Sequence, residues 1–319
     1  MGSLPFKFGI QYYEVRKSAY LTNTTIEENV RKLYYFADVF KELYDQKKVM
    51  SMDPRHISEM DMESFLGYMK QRKLQNVTKK KYLSLLDSYM GFFGNHVISD
   101  MKKQDKFINL QKGKKHEIEF IEEKDLNTIF TFINKYPGYD GIIVRGYYAL
   151  LFGIAGRPKE ALRGLVRDID LTRDLFYIRH PKGENSWGRM EWVEIIRKDM
   201  IPIIEKFLIE RAEYLEGRNC ISEYLFVNPN TDKPYSDNKM RLLKKKISIE
   251  LGIDFKIKDF RSTYATITYK YNPEAKEAIS KQMRHEDSAT TDEYYISYDN
   301  KEAAKRLKDE WKKSAIKTH

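Results

Sequence analysis

Only one stretch of this sequence has the pattern of β-strands, and it is short. Residues 165–171, 175–178 and 190–195 carry strand character, and turn-forming segments at 172–174 and 181–189 separate them. That pattern predicts a three-stranded antiparallel sheet. Elsewhere apolar residues recur at helical spacing. Val30, Leu33, Phe36, Val39, Phe40 and Leu43 share one face, after a capping-box-like start at Thr24 or Thr25 with Glu27 and Glu28. A second helix is expected from about Asp61, with Phe65, Leu66 and Met69 on one side. A third starts near Thr78 and carries Tyr82, Leu85, Leu86, Tyr89 and Phe92/Phe93. Beyond residue 120, helices are expected at 123–134 and 141–155, the second broken before Pro158. After the sheet, helical segments follow at 199–215, 237–251, 258–270, 273–284, 290–298 and 301–314. The fold class is therefore mainly α with a small antiparallel β-sheet, the second lobe being α+β.

At 319 residues the chain is long enough for two domains. Residues 1–19 read as an N-terminal extension, 20–100 as a helical bundle, 101–118 as a basic linker and 119–319 as the second lobe. The linker rests on 101–117, where the apolar pattern lapses and six lysines stand against two acids. The strongest apolar stretch, 147–155, is too short to span a bilayer. The N-terminus lacks the pattern of a secretory signal. The single Cys220 excludes an intramolecular disulfide framework and fits a reducing compartment, so a cytoplasmic location is expected. The net charge of +10, with lysine-rich clusters at 79–81, 102–115, 241–246 and 301–317, suits a polyanionic partner. Lysine-rich surfaces also occur without one, and charge alone does not decide.

Elimination narrows the chemistry. The sequence holds no P-loop, no GxGxxG and no HExxH, and its six histidines lack metal-ligand spacing. No paired-carboxylate cluster offers a two-magnesium site, and no cofactor is expected. What remains is a series of cations in unusual settings. Arg157 follows an apolar helix, with small residues at 155 and 156 that would let a bulky ligand approach its guanidinium. Lys182 begins the hairpin between two strands, Lys258 and Arg261 precede a helix start, and His285 lies nine residues before Tyr294. Each has an ordinary use: a charge answering a helix dipole, a solvated turn lysine, a surface pair, an ion-pair partner for Glu160, a surface histidine, one tyrosine of 23. Their order and spacing taken together argue otherwise.

Arg157-x-x-Glu160-x-Leu162, Lys182 on a hairpin, Lys258-x-x-Arg261, and His285 followed by Thr290, Thr291 and Tyr294 resemble the tyrosine recombinase (integrase) family over nearly the whole chain. The resemblance implies a site-specific recombinase that cleaves and rejoins DNA through a 3′-phosphotyrosine intermediate, without metal or ATP. It implies a core-binding, DNA-binding bundle, an interdomain linker, and a catalytic domain ending in a C-terminal helix. The partners implied are double-stranded DNA with a specific recombination site and further copies of the chain in a synaptic tetramer. The helix over 300–314, with Ala303, Ala304, Leu307 and Trp311 at helical spacing, would join the copies, and a nucleoid-associated location follows. Two residues depart from the family pattern. Lys258 stands where histidine is common, and Arg284 stands where glycine is usual, which predicts a different local turn. Tyr295 beside Tyr294 leaves a register ambiguity that the spacing resolves towards Tyr294.

Elementary chemistry supports the same set. A phosphodiester attacked by a phenolic oxygen gains negative charge on its non-bridging oxygens, which two planar, permanently charged guanidiniums can stabilise. An ammonium beside arginines can protonate the leaving oxygen. A type IB topoisomerase-like enzyme would share this chemistry, and a DNA-binding architectural or regulatory protein with a degenerate site would share the surface.

Overall fold

The computed structural model describes residues 5–106, 118–183 and 188–285, and the chain divides into two compact units at residue 116/117. The first unit is helical: α1 (Phe6–Lys17), α2 (Asn23–Asp45), α3 (Glu59–Gln71), α4 (Asn76–Phe92) and α5 (Val97–Lys103). Aromatic side chains dominate its core. Phe36 and Phe40 lie one turn apart on α2 and both meet Phe65 of α3. Phe40 stacks on that ring at 5.1 Å and Phe36 meets it edge-on at 5.6 Å. The start of α3 is fixed by a capping box, in which Ser58 Oγ accepts the Asp61 N–H (3.3 Å) and Asp61 accepts the Ser58 N–H (2.8 Å).

Three expectations for this unit change. Residues 1–19 are not a mere extension, because Phe6, Ile10 and Tyr13 of α1 are buried in the same core as Phe40 and Tyr89. Their spacing is helical, but α1 also exposes Phe8, Tyr12 and Val15, so no clean polar face marks it. The cap of α2 is Thr22, earlier than Thr24 or Thr25; its hydroxyl accepts from the Thr25 N–H at 3.4 Å. The first residues of the expected linker belong to α5, where Ile98 and Met101 are buried and Lys102 and Lys103 face the helix C-terminus. The remainder of that segment, 107–117, lies outside the described residues.

The second unit is built around α7 (Gly138–Gly153), in which every residue from Ile143 to Gly153 is buried. A helix apolar on all sides belongs at the centre of a domain. It is flanked by α6 (Glu123–Ile133) and by α9 (Ile201–Glu216). The approach to α9 is close: a Cβ at Gly146 would stand 2.2 Å from the Phe207 ring, so only glycine fits there. After α7 come α8 (Pro158–Leu162) and an antiparallel sheet in the order β1 (Ile169–Asp170), β2 (Leu175–Ile178), β3 (Glu191–Glu194). Phe176 pairs with Val193 and Ile178 with Glu191. The unit continues with α10 (Asp237–Leu251), α11 (Asp259–Tyr271) and α12 (Lys276–Gln282).

The small sheet stands where the pattern placed it, with a shorter first strand than 165–171. Val166–Asp168 is a 3-10 turn instead, because the Asp168 carboxylate accepts the Leu165 N–H (2.9 Å) and is held by Arg179 of the hairpin. A further two-stranded ladder, β4 (Val227–Asn228) with β5 (Lys233–Pro234), escaped the pattern because each strand is two residues long. The segment 273–284 splits into a 3-10 turn, Pro273–Ala275, and α12. The helices expected at 290–298 and 301–314 lie outside the described residues. If α1 is part of the core, Ile10→Ala in the full chain should cost about 2–4 kcal/mol in urea unfolding. A change below about 0.5 kcal/mol would mean that the bundle does not need it.

Candidate active site

Two helix ends and one buried arginine assemble the site. α7 ends in a turn in which the Gly156 N–H bonds to the Leu151 carbonyl (3.0 Å), with Ala155 in the left-handed region at φ 51°. A Cβ at Gly156 would lie 2.8 Å from the end of the Ile154 side chain, which would have to shift to admit it. Both 155 and 156 are buried against their own chain, so their smallness serves the turn and does not open room for a ligand as expected. Arg157 follows, and Pro158 opens α8 at its first position, where a missing N–H costs nothing.

α12 ends in the same way. The Arg284 N–H bonds to the Lys281 carbonyl (2.8 Å), the His285 N–H bonds to the Ser280 carbonyl (3.1 Å), and Arg284 has φ 56°. The local turn therefore keeps the left-handed backbone that suits glycine, and the departure at 284 changes the side chain alone.

Arg261 joins these two turns. It projects from α11, which is buried continuously from Asp259 to Ile267 and is itself held by two side-chain bonds. Ser262 Oγ donates to the Glu119 carbonyl (2.7 Å), and Thr263 Oγ1 accepts the Ile121 N–H (2.7 Å). The Arg261 guanidinium, only 2% exposed as a residue, donates to the carbonyls of Ala155 and Met283. It also lies 2.7 Å from His285 Nε2. A guanidinium has donors only, so Nε2 is the acceptor and the neutral ring carries its proton on Nδ1.

Glu160 organises the other side. It is 2% exposed and accepts from Arg157 Nη1 (3.1 Å), from the Arg157 N–H (3.3 Å) and from the Lys182 N–H (3.0 Å). Arg284 also donates to it. Burial would raise this carboxyl, but Arg284, Arg157 and the Lys182 amide hold it below the usual range. Lys182 is thereby anchored by its backbone while its side chain stays exposed. Burial, followed by the charges of Arg261, Arg157, Arg284 and Lys182, pushes His285 down to about 3. Four cations thus act on one imidazole.

Of the residues expected in the site, Arg157, Lys182, Arg261 and His285 come together. Lys258 sits exposed at the start of α11, where its charge acts on Asp259. Tyr294 and Tyr295 lie outside the described residues. In the sequence Glu160 stands as a member of the first arginine box and as an ion-pair partner, and Arg284 as a departure from the family pattern; neither reading places the two together. The signal for both was present, because an acid three residues after Arg157 and a cation before His285 are spaced to meet once the two turns face each other. Among the described residues no group of three or more His, Cys, Asp or Glu is arranged to hold a metal, and no helix is long and apolar enough to cross a membrane.

Arg157, Arg284 and the Lys182 amide thus meet on the buried Glu160 while Arg261 holds His285, within an α+β lobe of the tyrosine-type site-specific DNA recombinase class. Residues 119–302 match the phage integrase family, and the chain belongs to that family. The fold is shared with solved recombinases of low sequence identity. XerH site-specific recombinase bound to difH substrate in a pre-cleavage complex matches with a TM-score of 0.67 at 15% identity, over 96% of this chain and 98% of that one. The Tn1549 transposon integrase in complex with a circular intermediate DNA gives 0.63 at 12%, over 96% and 100%. A lambda integrase dimer bound to a COC′ core site gives 0.59 at 13%, over 96% and 78%. No protein of curated function matches the sequence.

The histidine has a measurable signature. Its folded-state pKa lies below the ordinary 6.5, so the unfolded chain takes up the proton first. That contribution to stability is full above about 6.5 and is lost as pH falls towards 3. Urea midpoints should therefore drop more steeply over this window in the parent protein than in His285→Gln; parallel slopes would show that the imidazole is not held neutral.

Proposed function

We propose that this chain cleaves and rejoins double-stranded DNA at a specific site through a 3′-phosphotyrosine link made by Tyr294, without metal or nucleotide triphosphate. The observation that carries the reading is His285, hydrogen-bonded to the buried Arg261 and within electrostatic reach of Arg157 and Lys182. So much positive charge around a neutral imidazole is costly unless an anion completes it. A phosphodiester has the charge and the oxygens to do so.

In this reading Arg157 and Arg261 bind the non-bridging oxygens and stabilise the charge that builds there. His285 hydrogen-bonds a phosphate oxygen. The Tyr294 hydroxyl gives up its proton to solvent as its oxygen attacks phosphorus, the bond to the 5′-oxygen breaks, and Lys182 gives that oxygen a proton. Lys258 serves as a donor or proton carrier where the family commonly has histidine. The phosphodiester bond energy stays in the phosphotyrosine, so a 5′-hydroxyl from another strand can reverse the step and rejoin the DNA. The net charge of +10 supports binding along the phosphate backbone. The C-terminal segment 300–314, with its apolar positions Ala303, Ala304, Leu307 and Trp311, would hold copies together in a synaptic tetramer, and a nucleoid-associated location suits such a partner.

A nicked suicide substrate carrying a candidate site tests the reading. The parent protein and Tyr295→Phe should form a covalent adduct and Tyr294→Phe none, while Arg157→Ala should slow adduct formation by about 10²–10³-fold. No adduct from the parent, or an undiminished one from Tyr294→Phe, would sink the assignment.

A further inference from the structure

We propose that Arg284 is a positioning residue of this site: through Glu160 it fixes Arg157 and the backbone of Lys182 where the scissile phosphate is to be held. The inference rests on the recombinase reading above and concerns a position where this chain differs from its family's habit.

Three observations carry it. Arg284 holds a left-handed backbone, φ 56°, that any residue but glycine adopts at a cost. Nothing in the turn itself requires a side chain there, and what this one touches lies outside the turn. That side chain is 11% exposed and donates to Glu160, whose other partners are Arg157 and the Lys182 amide. Its Nε also lies 4.0 Å from Glu191 at the start of β3, the strand on the far side of the Lys182 loop. Arg284 therefore spans the base of the hairpin, between the carboxylate that anchors its first arm and the carboxylate that begins its second. Gln282, two residues earlier, donates to the Glu194 carbonyl of the same strand (2.8 Å), so the end of α12 grips that strand twice.

Without Arg284, Glu160 would answer Arg157 alone among side chains, and its second oxygen would keep only the long bond from the Arg157 N–H, 3.3 Å. The Arg157 guanidinium and the Lys182 amide would lose a fixed acceptor. The cluster would also lose one of the four cations that act on His285, the others being Arg261 of α11, Arg157 before α8 and Lys182 of the hairpin. A purely structural residue at 284 would move neither the cleavage chemistry nor the histidine.

The test compares the full-length parent with Arg284→Gly, which suits the backbone, and with Arg284→Gln, which keeps the reach without the charge. Adduct formation on the nicked substrate should slow by about tenfold or more in both variants. Imidazole NMR of the free protein should show His285 titrating at a higher pH than in the parent. Thermal unfolding of Arg284→Gly should be unchanged or higher. Arg284→Lys, which restores the charge, should return the titration to its low value and recover part of the rate. Parent-like cleavage or a parent-like His285 titration in Arg284→Gly and Arg284→Gln overturns the proposal. If the parent forms no adduct, the recombinase reading fails by itself; a raised titration then still supports the hold of Arg284 on the cluster, and an unchanged one overturns it.

Discussion

The guanidinium of Arg261 is the interaction on which the rest of the site depends. It reaches two carbonyls that belong to the ends of different helices and one imidazole that follows the second of them. A carbonyl can accept it only if the local turn points that oxygen inward, and both turns do so by placing a residue in the left-handed region. The arginine therefore reads out the conformation of two distant segments at once. Its own helix is locked by Ser262 and Thr263 onto the backbone at Glu119 and Ile121, in the segment that leads into α6.

Around that point the charges are arranged with one sign in excess. Glu160 is the buried carboxylate between two arginines, Arg157 and Arg284, and the Lys182 amide, and it orients more charge than it neutralises. The cluster thus favours an anion by electrostatics already in place, so that binding one would require little reorganisation. Burial and the same excess together keep the imidazole neutral, and a bound anion would offset part of that excess and raise the ring's affinity for a proton.

Much of this was legible in the sequence, and the exceptions have physical causes. The helix over 237–251 ends where expected because Ser236 caps it and Gly252 closes it in a left-handed turn, both of which are local signals. The order of cations from Arg157 to His285 was readable because each belongs to its own short segment. α1 was missed because its exposed face is also apolar, so period alone could not tell core from surface. The strand expected from 165 was cut short by Asp168, whose side chain competes with the sheet for the Leu165 amide. Arg284 looked like a break in the pattern because sequence shows the cost of a side chain in that turn, while its partner, Glu160, lies 124 residues earlier in the chain.

The two left-handed turns also decide how this protein can drift. Ala155 is already the largest apolar residue that sits easily in such a conformation, and β-branched residues are strongly disfavoured there. A change as mild as Ala155→Val would swing the carbonyl that Arg261 requires and, through it, the imidazole. A centre made of charged groups is therefore most vulnerable at an uncharged position, and lineages of this chain should tolerate new surface charges more readily than one extra methyl group at that bend.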